Sequence, residues 1–197
     1  MTTIIAAQGE KWAVVGYDSL VSDESGRSFT LGRGSSKVVK NGQYLLGAAG
    51  DVRAINILAH VFAPPKPNEL TGTRLDKFVT SKFVPALRAC FEDQGYAPRD
   101  TKDQGAQHGS VVLVVVNGTI YEIDEDYSWV RGSTGVYAVG TGGDVALGAM
   151  YAMTGEQSFD EIGLDRTKKI VKDCLAIAVK LDNQSGGPLH VTYQVSP

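Results

Sequence analysis

Strand-like and helical segments come in blocks in this sequence, and that order constrains the fold more than any single motif. Residues 3–7 and 12–18 read as two strands of a hairpin joined around Gln8, Gly9, Glu10 and Lys11, because apolar and β-branched residues dominate both. Residues 22–34 are rich in Ser and Gly, with room for a short strand near 29–31. Residues 37–39 and 44–48 form the next strand pair, with Asn41-Gly42 supplying a tight turn. A helix then starts at Gly50-Asp51, capped by Asp51, with Val52, Ile55, Leu58, Ala59 and Phe62 at helical spacing. Pro64, Pro65 and Pro67 stop it. A second helix is predicted over 74–92, kinked or broken at Pro85. Residues 95–109 are polar and expected to form a mobile loop. Strands follow at 110–116, 119–123, 129–131 and 136–139, helices at 143–153 and 165–181, and a last strand at 189–195. Helices grouped in pairs argue against a doubly wound parallel sheet and for antiparallel sheets with helices layered outside, an α+β architecture. With no fixed-period repeat and no linker, 1–197 is expected to be a single domain.

Bulk properties exclude several classes of function. Hydrophobic residues make up 43% of the 197, enough for a sizeable core, and the formal net charge is -3. Lys and Arg are scattered, so neither nucleic acid nor a membrane surface is an expected partner. No apolar run approaches the roughly 18 residues of a membrane span, and no signal peptide is visible, so a cytoplasmic location is expected. The two cysteines, Cys90 and Cys174, fall in helical segments and read as reduced core thiols.

Familiar catalytic signatures are missing. There is no G-x-S-x-G elbow and no Walker A loop, and GTGGDVALG at 140–148 does not satisfy G-x-G-x-x-G. His60, His108 and His190 are isolated, without metal-ligand spacing, and read as structural or solvated. Thr2 is different. It stands one bond behind the initiator, on a stretch that looks buried. An aminopeptidase is expected to remove Met1, since threonine is small, leaving residue 2 with a free α-amine and a β-hydroxyl. An amine of pKa about 8 can take the hydroxyl proton. A neighbouring cation keeps that pKa low, an anion holds the cation, and backbone donors stabilise the oxyanion. Asp18 at the end of the second strand, Lys37 at the start of a later one, and Gly50 at a strand-to-helix turn supply candidates for each part.

In type and order these residues resemble the proteasome-type β-subunits of the N-terminal nucleophile (Ntn) hydrolases, a family that includes the bacterial HslV peptidase. Six segments carry the resemblance: Thr2-Thr3, Gly16-Tyr17-Asp18-Ser19, Lys37-Val38, Ala49-Gly50-Asp51, Gly140-Thr141-Gly142-Gly143 and Asp182-Asn183-Gln184-Ser185-Gly186-Gly187. They span nearly the whole chain, and the last is more like proteasome β-subunits than HslV. The resemblance implies a four-layer αββα sandwich of two antiparallel sheets between helix layers. It implies Thr2 as nucleophile and, through its amine, general base. Lys37 would lower the amine pKa, Asp18 would hold Lys37, and Gly50 N–H would bind the oxyanion, with Gly47 the less favoured choice. Thr141, Asp182 and Ser185 match the polar groups that orient the amine. Val21 and Ser22 match the segment whose backbone pairs with an extended peptide, and Ala48 would line a roomy, apolar first specificity pocket.

Three positions depart from the family pattern. Thr141 replaces a serine but keeps a hydroxyl. Leu20 stands where arginine often follows D-S. Asp51 replaces a second glycine, bringing a negative charge close to the proposed oxyanion. The implied activity is a threonine endopeptidase acting on peptides or unfolded proteins, with no cofactor or metal required. A closed homo-oligomeric ring and an ATP-dependent unfoldase are the implied partners. Two alternatives share the fold: an inactive proteasome-like shell protein, and an Ntn amidase with a small-molecule substrate.

Overall fold

The central strands are apolar at almost every position because both of their faces are covered. In a computed structural model describing residues 2–22, 25–96 and 107–197, the chain runs through β1 (Ile4–Gln8), β2 (Trp12–Tyr17), β3 (Leu20–Ser22), β4 (Ser28–Thr30), β5 (Val38–Asn41) and β6 (Tyr44–Gly50). The helices α1 (Val52–His60), α2 (Gly72–Phe78) and α3 (Val84–Asp93) follow. Then come β7 (Ser110–Val116), β8 (Thr119–Ile123), β9 (Trp129–Val130), β10 (Val136–Val139), α4 (Gly143–Thr154), α5 (Phe159–Ile162), α6 (Leu164–Leu181) and β11 (His190–Val195). One antiparallel sheet has the order β10-β1-β2-β11 and the other β5-β6-β7-β8-β9, while β3 and β4 form a separate ribbon.

Side-chain alternation assigns each strand residue to a layer. Ile4, Ala6, Ala13 and Val15 of the first sheet meet Leu45, Ala49, Leu113 and Val115 of the second in the space between the sheets. The alternate residues Ile5, Ala7 and Val14 face α4, α5 and α6, burying Met150, Val171 and Leu175. On the far side, Leu46, Val112 and Val114 face α1, α2 and α3 through Leu58, Leu75, Phe83 and Leu87. The antiparallel sheets with helices outside that the order of segments implied are thus present, as the four-layer sandwich that the family resemblance implied. Gly16 lets α6 settle onto β2, since a Cβ there would stand 2.5 Å from Val171 Cγ1 and 2.7 Å from Leu175 Cδ1.

The structure refines several expected elements. The helix predicted over 74–92 is α2 and α3 separated by a π-helical turn, Val79–Phe83, in which Val84 N–H donates to Val79 O. Pro85 brings no N–H to continue the ladder, and the turn before it widens. The hydroxyls of Thr80 and Ser81 donate to the carbonyls of Asp76 and Lys77 at 2.9 and 2.7 Å. The short β3 and the single-turn α5 were not anticipated. The capping box of α5, Ser158 with Glu161, is nevertheless written in the sequence. Residues 97–106 of the predicted loop lie outside the described residues. Cys174 is buried in the α6 core, where burial pushes its thiol up to about 12, and Cys90 is half-buried.

Phe83 is fully buried against the rings of Tyr44 and Phe62, with centroids 5.0 and 5.5 Å away. Phe83→Ala is expected to cost about 3–5 kcal/mol, read as a lower midpoint in urea unfolding.

Candidate functional site

The period of two in β1 also sends the two threonines before it to different places. Thr2 is in phase with Ile4 and Ala6, on the side between the sheets, while Thr3 is in phase with Ile5 and Ala7. Both are buried. Thr2 lines a cavity of about 250 Å³ together with Val21, Lys37, Ala48, Gly50 and Asp51.

Lys37 stands just before β5 and Asp18 just after β2, so strand ends from the two sheets bring them together. Lys37 Nζ donates to Asp18 Oδ1 at 2.6 Å, and the two side chains are 4% and 0% exposed. Asp18 Oδ1 also accepts from Thr3 N–H at 2.9 Å, and Oδ2 accepts from Leu20 N–H at 3.1 Å and Gly186 N–H at 2.9 Å. Burial pushes the Lys37 ammonium below its usual value, against the upward pull of the Asp18 hydrogen bond and of the Asp18 and Asp182 charges.

A second polar chain runs behind the threonines. Asp182 Oδ2 accepts from Ser185 Oγ at 2.6 Å and Thr141 Oγ1 at 2.7 Å, and Oδ1 accepts from Gln184 N–H at 3.1 Å. Ser185 gives its proton to Asp182, so in its 2.6 Å contact with Thr3 Oγ1 the threonine is the donor. Burial would raise the Asp182 carboxyl. The hydrogen bonds from Ser185, Thr141 and Gln184, with the Lys37 charge, outweigh burial and hold it below the usual carboxylate range.

The turn after β10 is moulded onto the threonines. Gly140 has φ +90, and a Cβ there would overlap the Thr2 carbonyl oxygen; one at Gly142 would overlap Thr3 Oγ1. Of the two oxyanion candidates, Gly50 lines the Thr2 cavity. Gly47 lies mid-strand between the sheets, where a Cβ would be 3.2 Å from both Ile4 Cδ1 and Val38 Cγ2. Asp51 caps α1, accepting from Arg53 N–H at 2.8 Å.

Val21 and Ser22 lie in β3, which among the described residues pairs with β4 alone. Leu31 N–H donates to Ser19 O at 2.8 Å. The alternation of an antiparallel ladder then turns Val21 backbone groups toward β4 and those of Ser22 toward the open edge. Val21 and Ala48 contribute side chains to the cavity instead.

The sequence reading missed several participants. Thr3 contributes both a hydroxyl and an N–H, Gly186 an N–H, and Gly140 and Gly142 the close approach. One face of α1, carrying Val52, Ile55, Asn56, Ala59 and His60, also walls the cavity. Spacings of three and four are legible there, but they mark a helix without telling a face on the core from one on a cavity. Among the described residues no group of three or more His, Cys, Asp or Glu is arranged to hold a metal ion, and no helix is long and apolar enough to cross a membrane.

No protein-family model and no curated protein matches the sequence. Solved structures do match over the whole chain. Thiobacillus denitrificans BPH superimposes with a TM-score of 0.74 at 20% identity, covering 100% of this chain and 99% of that one. The same protein in complex with epoxomicin gives 0.74 at 20%, covering 100% of both. Eukaryotic HslV from Trypanosoma brucei gives 0.64 at 18%, covering 98% of this chain and 99% of that one. The fold is therefore that of proteasome β-subunits and HslV, a proteasome-type protease fold.

Because its folded pKa is depressed, Asp182 adds stability that is full above its unfolded value near 3.9 and is lost as pH falls through the lower folded value. Asp182→Asn is expected to flatten the acid side of the Tm–pH curve below about pH 4, and an unaltered acid side would contradict the hydrogen-bonded carboxylate.

Proposed function

We propose that this chain is a threonine endopeptidase of the proteasome β/HslV kind, hydrolysing peptide bonds in unfolded polypeptides. The observation that carries the reading is the buried Lys37–Asp18 ion pair opening onto the same cavity as Thr2 and Gly50. Removal of Met1 frees the Thr2 amine. With the Lys37 charge beside it, that amine is neutral at a lower pH than an ordinary terminal amine. It takes the proton from Thr2 Oγ1 as the oxygen attacks the peptide carbonyl carbon. The carbonyl oxygen becomes an oxyanion held by Gly50 N–H. Collapse of the tetrahedral intermediate breaks the C–N bond, and the amine returns the proton to the leaving nitrogen. Water, activated by the same amine, then hydrolyses the ester on Thr2 and restores the hydroxyl.

The polar chain of Thr141, Asp182, Ser185 and Thr3 steadies the strand start that carries the nucleophile. The open edge of β3 accepts an extended peptide through the Ser22 backbone, a form of strand addition. Val21, Ala48, Val52, Ile55 and Ala59 give the pocket beside Thr2 an apolar side that suits a large apolar side chain, with Asn56 and His60 as polar neighbours. A closed homo-oligomeric ring fed by an ATP-dependent unfoldase, in the cytoplasm, completes the proposal by analogy with the family.

A peptide epoxyketone reacts with hydroxyl and amine together, so mass spectrometry of the treated protein is expected to show Met1 absent and one inhibitor on Thr2. Retention of Met1, or peptide cleavage that survives Thr2→Ala, would sink the proposal. Lys37→Met removes the neighbouring cation and raises the amine pKa, so the acid limb of kcat/KM against pH is expected to move to higher pH. An unmoved limb in an active variant would count against the role given to Lys37.

A further inference from the structure

We infer that Ser110 is a positioning residue for the oxyanion donor, acting through the backbone of the Gly50-Asp51 turn with Tyr96 as its outer support. The inference rests on Gly50 N–H being that donor. Gly50 ends β6 at φ +129, a conformation open to glycine and strained for other residues. A Cβ there would overlap Gly109 O and stand 2.7 Å from Ser110 Oγ and 2.8 Å from Ser110 Cα, so the turn is pressed against the start of β7. The next N–H, that of Asp51, donates to Ser110 Oγ at 3.0 Å and, at 3.4 Å, to Gly109 O.

This arrangement does two things. It fixes the peptide plane that follows Gly50, while the β6–β7 ladder fixes the strand that precedes it. It also ties the Asp51 N–H behind the turn, where it cannot compete with Gly50 for substrate oxygen. Ser110 is 1% exposed, and its hydroxyl also meets Tyr96 OH at 2.7 Å. Tyr96 is held in turn: its N–H donates to Phe91 O at 2.8 Å and its ring packs edge-on against Phe91 at 5.0 Å. The chain of contacts runs from the end of α3 through one phenol and one hydroxyl to the oxyanion turn. Donors aimed at an oxyanion work only within a few tenths of an ångström of their proper distance, and a misplacement of about 1 Å costs on the order of a hundredfold in rate.

The test compares Ser110→Ala and Tyr96→Phe with the wild type on a fluorogenic peptide carrying leucine before the scissile bond. Ser110→Ala is expected to lower kcat about tenfold, less than the ~10²–10³ that follows outright loss of an oxyanion donor, with KM within about twofold. Affinity for a peptide boronate, whose tetrahedral oxygen mimics the oxyanion, is expected to fall by the same factor, and affinity for the uncleavable peptide to hold. Tyr96→Phe is expected to lose less, and the double variant to match Ser110→Ala, because both changes act through one oxygen. Unchanged kcat in Ser110→Ala overturns the inference. So does a fall in kcat with an equal loss of ground-state affinity. Epoxyketone labelling of the wild type separates the two levels: an adduct with normal Ser110→Ala turnover removes the brace alone, and no adduct removes the oxyanion reading and the brace together.

Discussion

The Asp18 carboxylate is the junction on which the site depends. It accepts from the first strand through Thr3 N–H, from its own chain through Leu20 N–H, from the loop before β11 through Gly186 N–H, and from the head of β5 through Lys37 Nζ. Both charges of the pair are out of water, and desolvating two charges costs several kcal/mol per ion. An apolar pair of similar volume at such a position is often as stable or more so. Stability therefore does not explain why an ammonium and a carboxylate meet here. The proposed chemistry does, since it calls for positive charge near the Thr2 nitrogen, and Asp18, with donors on both oxygens, anchors the ammonium in the wall of the Thr2 cavity.

The geometry around the pair follows from backbone periodicity. A one-residue slip of β1 would exchange the places of Thr2 and Thr3, because neighbours in a strand face opposite sides. The slip is opposed on both faces at once. Ile4 and Ala6 are locked between the sheets, Ile5 and Ala7 beneath the α4–α6 layer, and Gly140 and Gly142 are fitted to the threonines themselves. Thr2, the nucleophile of the proposed reaction, is thus placed by hydrophobic packing, and hydrogen bonds make the final adjustment.

How much of this was legible in the sequence differs between fold and site. Layering was legible because a run such as Ser110–Val116, apolar at successive positions, fits a strand covered on both faces, and paired helices supply the covers. The break at Pro85 was legible as a missing donor, but its form as a π-helical turn, where the hydroxyls of Thr80 and Ser81 reach back to the preceding turn, was not. The three residues of β3 carry too little pattern to announce a strand. At the site, Thr2, Asp18 and Lys37 were legible from what amine-activated threonine chemistry requires. Thr3 was not, because nothing in local sequence says that its hydroxyl will meet Ser185, 182 positions away. The cavity face of α1 was not legible for a related reason: Ile55 touches both the core and the cavity, so its period cannot say which it serves.

Asp51, the departure that set a negative charge beside the proposed oxyanion, is answered by its surroundings. Its Oδ1 accepts from Arg53 N–H in the first turn of α1, where the positive end of the helix dipole offsets a carboxylate. Its own N–H is drawn back by Ser110 and Gly109. The side chain is therefore partly offset by the helix it starts, and its N–H is tied back toward the start of β7. A second glycine at this position would keep the N–H but lose the cap. The residue that looked like a defect in the proposed oxyanion turn is one of the groups that hold the turn in place.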